Sequence, residues 1–160
     1  MTNKQKTFTL LAALCFAVSS YGQSGNGKEP ISQPLVSHIF TADPSAHVFK
    51  GRIFIYPSHD IDAAVKEDDD GGHFAMRDYH ILSMKKMGGK VTDHGVALDI
   101  KDIPWAGRQL WAPDATFKDG MYYLYFPVND KQDVFRIGVA TSKKPEGPFK
   151  AEPEPIKGAY

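Results

Sequence analysis

From Leu35 onward, apolar and polar positions alternate in short runs with a period of two, the pattern of half-buried β-strands. HVFKGRIFIY (His47–Tyr56) holds two such runs around Lys50-Gly51 and predicts a hairpin. DYHILSM (Asp78–Met84) predicts a third strand, and KVTDHGVAL (Lys90–Leu98), reached through Gly88-Gly89, a fourth. ATFKDGMYYLYF (Ala115–Phe126) carries the clearest hairpin signal, because Asp119-Gly120 is a favoured turn pair between aromatic and β-branched flanks. FRIGVATS (Phe135–Ser142) predicts a further strand, after which Pro145, Pro148, Pro153 and Pro155 impose turns and extended chain. Only AAVKED (Ala63–Asp68) has a trace of helical period, and the acidic run that follows stops it.

The hairpins repeat. HVFKGRIFIYPSHD matches ATFKDGMYYLYFPVND, with Gly51 aligned to Gly120, Ile55 to Leu124 and Tyr56 to Tyr125, and with one extra turn residue in the second copy. A unit of about four short antiparallel strands that recurs in this way is the sequence sign of a β-propeller blade. Two unrelated hairpins in a β-sandwich are the alternative that pattern alone leaves open. Blades lose their exposed edges by closing a ring, and two blades predict an incomplete one.

The first residues follow another logic. Lys4 and Lys6 precede an apolar run, Phe8–Val18, and Ser20-Tyr21-Gly22 supplies small residues at a cleavage site. This predicts a signal peptide over residues 1–22, too short for the roughly twenty residues of a spanning helix, and hence a secreted or periplasmic protein. Cleavage after Gly22 leaves 138 residues with 17 basic and 19 acidic side chains. That balance gives no argument for nucleic acid or for a membrane surface. Cys15 departs with the leader, so the mature chain has no thiol for a disulfide, a nucleophile or a metal. Residues 23–34, rich in Gly, Pro and Ser, predict a flexible lead-in, and residues 35–160 form one modest domain.

Three residues stand where chemistry is plausible. Asp43, in Ala-Asp-Pro-Ser, precedes the first inner strand, where a carboxylate would face a propeller's central cavity; taken alone, Asp-Pro-Ser is a common turn. Trp111 and Asp114, in Trp-Ala-Pro-Asp, hold the matching place before the second inner strand. Trp111 is either a stacking face for a sugar ring or a core aromatic, and Asp114 either a site residue or a turn cap. His38, His47, His59, His73, His80 and His94 scatter without the spacing of a zinc helix, and the acidic run Asp68-Asp69-Asp70 lacks the order of a calcium loop. No phosphate loop or serine-nucleophile elbow is present.

ADPSAHVFKGRIFIYPSHD, RQLWAPDATFKDGMYYLYF and FRIGVATSKKPEGPF together resemble the first blades of glycoside hydrolase family 43, from about Pro34 to Tyr160. The resemblance implies a five-bladed all-β propeller, here its first two blades, acting on xylose- or arabinose-containing saccharides with inversion. It further implies that Asp43 is the general base and that Trp111 lines the pocket, with Asp114 as a substrate-binding candidate. No cofactor is required; a calcium ion near the axis is implied as a possibility, with no ligand set in this sequence. The general acid and a second, pKa-tuning carboxylate are expected beyond Tyr160, which makes the chain an N-terminal fragment. A non-catalytic carbohydrate-binding or interaction protein derived from such a propeller is the alternative.

Overall fold

The computed structural model describes residues 33–67, 69 and 71–159. The signal peptide, nearly all of the lead-in, and Asp68 and Asp70 of the acidic run lie outside the described residues. Two antiparallel sheets make up the described chain. The first takes β1 (Phe40–Phe49), β2 (Arg52–Asp60), β3 (Asp78–Met84) and β4 (Thr92–Asp99) in that order. The second takes β5 (Ala106–Leu110), β7 (Met121–Asp130), β8 (Phe135–Ser142) and β9 (Lys150–Ala151), with β6 (Asp114–Lys118) also paired to β7. A 3-10 turn at Ile100–Asp102 leads out of the first sheet, its start capped by the Asp99 carboxylate.

The two hairpins are built alike. Lys50 and Gly51 (φ +50° and +72°) and Asp119 and Gly120 (φ +49° and +78°) all adopt left-handed backbone, the requirement of a two-residue type I′ turn. Ser45 pairs with Tyr56, and Asp114 with Tyr125, so every position of the first hairpin has its counterpart 69 residues later. The extra turn residue expected in the second copy is therefore not there. Turn length fixes register, and Phe49 is equivalent to Lys118, not to Phe117 as the like-for-like sequence match suggests.

Two strands escape the alternating pattern. β5 reads AGRQL, and its Gly107 approaches the partner so closely that a Cβ would lie 2.5 Å from the Asp130 carbonyl oxygen. β9 is two residues long. Residues 61–67 contain no helix, so the short helical period at Ala63 leads to none.

The core lies between the two sheets and is aromatic at its centre: Tyr56, Tyr79, Tyr122 and Phe126 are buried together with Ile81 and Leu110. Burial of each such side chain contributes about 1.5–3 kcal/mol. Two of the hydroxyls are satisfied across elements, with Tyr56 Oη donating to the Pro145 carbonyl (2.7 Å) and Tyr79 Oη to the Trp111 carbonyl (2.6 Å). Gly138 is required by this packing, because a Cβ there would come within 2.4 Å of the Phe126 ring and 2.9 Å of Trp105. No helix among the described residues is long and apolar enough to cross a membrane.

Candidate active site

Asp43 lies within β1 and not in a turn before it. The pairing of β1 with β2 jumps from Ala42↔Ser58 to Ser45↔Tyr56, which leaves Asp43 and Pro44 opposite Pro57 alone. Neither proline can donate to the ladder, so the strand bulges here, and Asp43 takes φ +47°. A bulge re-aims a side chain out of the regular alternation, and the exposed Asp43 carboxylate is the one re-aimed. Ser58 Oγ donates to the Ala42 carbonyl (3.1 Å) and fixes the strand just before the bulge.

A second carboxylate stands near by. Burial raises the Asp60 carboxyl above its ordinary value, the charge of Asp43 raises it further, and His59 opposes both. Asp60 and His59 line an open cleft with His38, Phe40 and Ile61. In sequence, Asp60 stands out only as the neighbour of His59, with Asp62 close by, a grouping that invites a metal reading but reads better as a solvated loop; the fold places it at the end of β2.

In the second sheet the inner edge is broken where the first is bulged. β5 and β6 both pair with β7, and Trp111-Ala112-Pro113 spans the gap between them. The constant offset makes Pro113 equivalent to Pro44, Ala112 to Asp43, and Asp114 to Ser45. The second blade thus carries alanine where the first carries the candidate base. Trp111 is fixed at both ends of its peptide, donating from N to the Pro127 carbonyl (3.0 Å) and accepting from Tyr79 Oη. Its ring meets Phe74 edge-on (centroids 5.4 Å) and Phe135 likewise (6.2 Å), and both of these rings are exposed. The indole Nε1 is buried with no hydrogen-bond partner among the described residues. Phe74 and Phe135 lie in stretches far from Trp111 in sequence, so only the fold brings the three rings together.

Asp114 is the first residue of β6, beside β1, and His47 Nε2 lies 2.6 Å from its Oδ1. Burial works to raise this carboxyl, but the bond with His47 and the Ala115 N–H hold it below the usual carboxylate range. Asp114 therefore joins the two inner strands, through a carboxylate that His47 already occupies.

For calcium, the fit is poor. Among the described residues, the cluster of three His, Asp or Glu side chains with converging donor atoms is His59, Asp78 and His80. Two imidazoles and one carboxylate are not the shell of six to eight oxygens that calcium takes, and no catalytic step is derived through that ion.

Comparison with known proteins points to one family. A family model described as glycosyl hydrolases family 43 matches residues 89–158. The chain is 58% identical over 129 residues to Xylosidase/arabinosidase 43A of Humicola insolens, a match covering 79% of this chain and 39% of that protein. It is 56% identical over 127 residues to a xylosidase/arabinosidase of Bacteroides ovatus, covering 79% and 39%. Among solved structures, a family 43 β-xylosidase/α-arabinofuranosidase from a compost microbial metagenome, in complex with xylotriose and calcium-free, superposes with TM-score 0.78 at 73% identity, covering 80% of this chain and 39% of that one. The RS223 β-xylosidase superposes with TM-score 0.78 at 55% identity. The chain thus spans about 39% of the length of these curated relatives, and its two sheets are blades of a propeller. On its motifs, its fold and these matches, the chain belongs to glycoside hydrolase family 43.

Proposed function

We propose that the protein takes part in hydrolysis of glycosidic bonds in xylose- and arabinose-containing plant saccharides, with Asp43 as the general base of an inverting reaction. The observation that carries this reading is the β1 bulge. Two opposed prolines displace one carboxylate from the strand's alternation, and the equivalent position of the second blade is Ala112. In the proposed reaction Asp43 takes a proton from the water that attacks the anomeric carbon, while an acid on the other side protonates the leaving oxygen. The reading assigns that acid to no residue of this chain. Glu146, for one, lies beside Lys50, Arg52 and Phe54, at the hairpin end of the first sheet. Trp111, framed by Phe74 and Phe135, supplies an apolar wall for the sugar face. The leader-like residues 1–22 support work outside the cytoplasm.

The test is a chimera in which residues 34–159 replace the matching segment of the Bacteroides ovatus relative. With an aryl xyloside or arabinoside, proton NMR of the first-formed sugar should show the inverted anomer, and Asp43→Asn should lower turnover by about 10²–10⁴-fold. A retained anomer, or undiminished turnover by Asp43→Asn, contradicts the reading.

A further inference from the structure

The strongest unassigned constellation lies on the first sheet, at the end of β2 that carries His59. Between β2 and β3 the paired register runs through Ile53↔Met84, Phe54↔Ser83 and Ile55↔Leu82. Continued by four residues, it sets His59 opposite Asp78, with His80 on the same face as Asp78. The ladder resumes as a single bridge, Asp60↔Met76, which is one residue out of that register. At this slip, side chains fill the gap between the strands.

Those side chains converge. His59 Nδ1 lies 2.7 Å from Asp78 Oδ1, and His80 Nε2 lies 3.6 Å from the same oxygen. The three donor atoms all fall within 4.8 Å of one another. The two imidazoles meet edge to face, centroids 4.9 Å apart, and the Asp78 side chain is 4% exposed. Ligands about 2.0–2.2 Å from a tetrahedral zinc stand roughly 3.3–3.6 Å from one another. His80 and Asp78 already have that spacing, and His59 needs to shift away from the Asp78 oxygen while the two imidazole nitrogens, held within 4.8 Å of each other, draw to the same spacing.

The surroundings orient the same donors. His80 Nδ1 lies 3.1 Å from both oxygens of Asp93, which places the proton on Nδ1 and turns the Nε2 lone pair toward Asp78. Asp93 is itself held by His38 Nε2 (2.7 Å) and the Gly95 N–H (2.8 Å). This carboxylate–histidine arrangement is the outer support that metal-binding histidines use. Arg77 Nε, 3.3 Å from Asp78 Oδ2, engages the other carboxylate oxygen and leaves Oδ1 for the imidazoles. His59 also lines the open cleft with Asp60 and Phe40, which provides an entry path.

We propose that His59, Asp78 and His80 bind one divalent cation of the zinc type, with Asp93 as the supporting carboxylate of His80. Two nitrogens and one oxygen suit zinc or cobalt and not calcium. The ion bridges β2 and β3 where their ladder slips, so its expected effect is structural.

The experiment uses the full purified chain, stripped with chelator and dialysed. Calorimetric titration with Zn²⁺ should show one equivalent, and Co²⁺ should give the intense visible absorption of a four-coordinate nitrogen–oxygen site. Zn²⁺ should also raise the thermal midpoint. His59→Gln and His80→Gln should each weaken Zn²⁺ binding at least a hundredfold, Asp93→Asn ten- to hundredfold, and His94→Ala should leave it unchanged. Should the glutamine variants not fold, the wild-type Co²⁺ spectrum and Zn²⁺-dependent midpoint carry the decision. The proposal is overturned by absence of saturable Zn²⁺ binding, by a weak six-coordinate Co²⁺ spectrum, by displacement of Zn²⁺ with millimolar Ca²⁺, or by unchanged affinity in both glutamine variants.

Discussion

The two sheets share one hairpin design and put it to different uses. In the first, the inner strand β1 is continuous, and its irregularity is a two-residue bulge that re-aims Asp43. In the second, the same edge is cut, and Trp111-Ala112-Pro113 joins β5 to β6. The proline is common to both, at Pro44 and Pro113, and in each case it prevents the edge from pairing evenly. What differs is the residue before it. A carboxylate there is displaced toward solvent, whereas Ala112 contributes no polar group and the preceding Trp111 supplies an aromatic face. The sheets differ equally in their polar content. The first carries the linked series His38, Asp93, His80, Asp78 and His59, while the second presents Phe74-facing and Phe135-facing aromatic surface around Trp111. On the proposed reading, a repeated backbone separates a proton-handling region from a sugar-facing one.

Breaking the contrast between Asp43 and Asp114 should give the largest effect. In the chimera with the Bacteroides ovatus relative, Asp43→Asn should lower the turnover of aryl pentosides by about 10²–10⁴-fold, the range for loss of a general base. Asp114→Asn should lower it less than tenfold, since His47 already engages that carboxylate. Equal losses in the two variants would erase the distinction.

The next effect concerns packing. Gly138→Ala forces a methyl group against the Phe126 and Trp105 rings, and overpacking of this kind costs about 1–3 kcal/mol. Denaturant midpoints of the chain should fall accordingly, whereas Gly88→Ala, with open space at its Cβ position, should lose only the smaller cost of its left-handed backbone. Tyr79→Phe removes the hydroxyl that holds the Trp111 carbonyl. It should reduce stability by about 0.5–1.5 kcal/mol and raise KM for pentosides in the chimera, because the Trp111 wall is then less firmly placed.

Smaller still is a pH effect confined to acid. Burial opposes ionisation of Asp93, but the Gly95 N–H, His38 and His80 together hold its carboxyl below the usual value. A carboxyl lowered on folding stabilises the native state fully above its unfolded pKa, about 3.9. That contribution is lost as pH falls through the lower folded value. Asp93→Asn should therefore reduce the thermal midpoint at neutral pH and flatten its decline below about pH 4. His47→Ala should have the least effect, about 0.2–1 kcal/mol, because the pair with Asp114 is exposed and screened. Added salt should shrink the midpoint difference between the wild type and His47→Ala.

Much of the strand layout was legible because short runs of apolar, β-branched and aromatic residues are bounded by turn residues. β3 and β8 fall on the segments that the pattern marks, and Lys50-Gly51 and Asp119-Gly120 fix both hairpins through turn chemistry alone. The blade repeat was legible for the same reason, although equating Phe49 with Phe117 misplaced its register by one residue. β5 was not legible, since AGRQL has no alternation and its pairing depends on the close approach of Gly107 to Asp130. Asp43 reads as a turn former in sequence; its position inside a strand follows from Pro57 on the opposite strand, a residue 14 positions away that no local pattern connects to it. The histidines read as scattered because their convergence depends on the register between β2 and β3. Short-range chemistry is visible along the chain, and cross-strand chemistry becomes visible only with register.

The central claim, that Asp43 is the base of an inverting displacement, is tested most directly by chemical rescue. In the chimera, Asp43→Gly with an aryl pentoside and added azide should regain turnover, as azide attacks the anomeric carbon without needing deprotonation and releases the aryl alcohol. NMR of the product should show a glycosyl azide with the anomeric configuration inverted. Azide that fails to rescue Asp43→Gly, or that gives a glycosyl azide of retained configuration, contradicts the account.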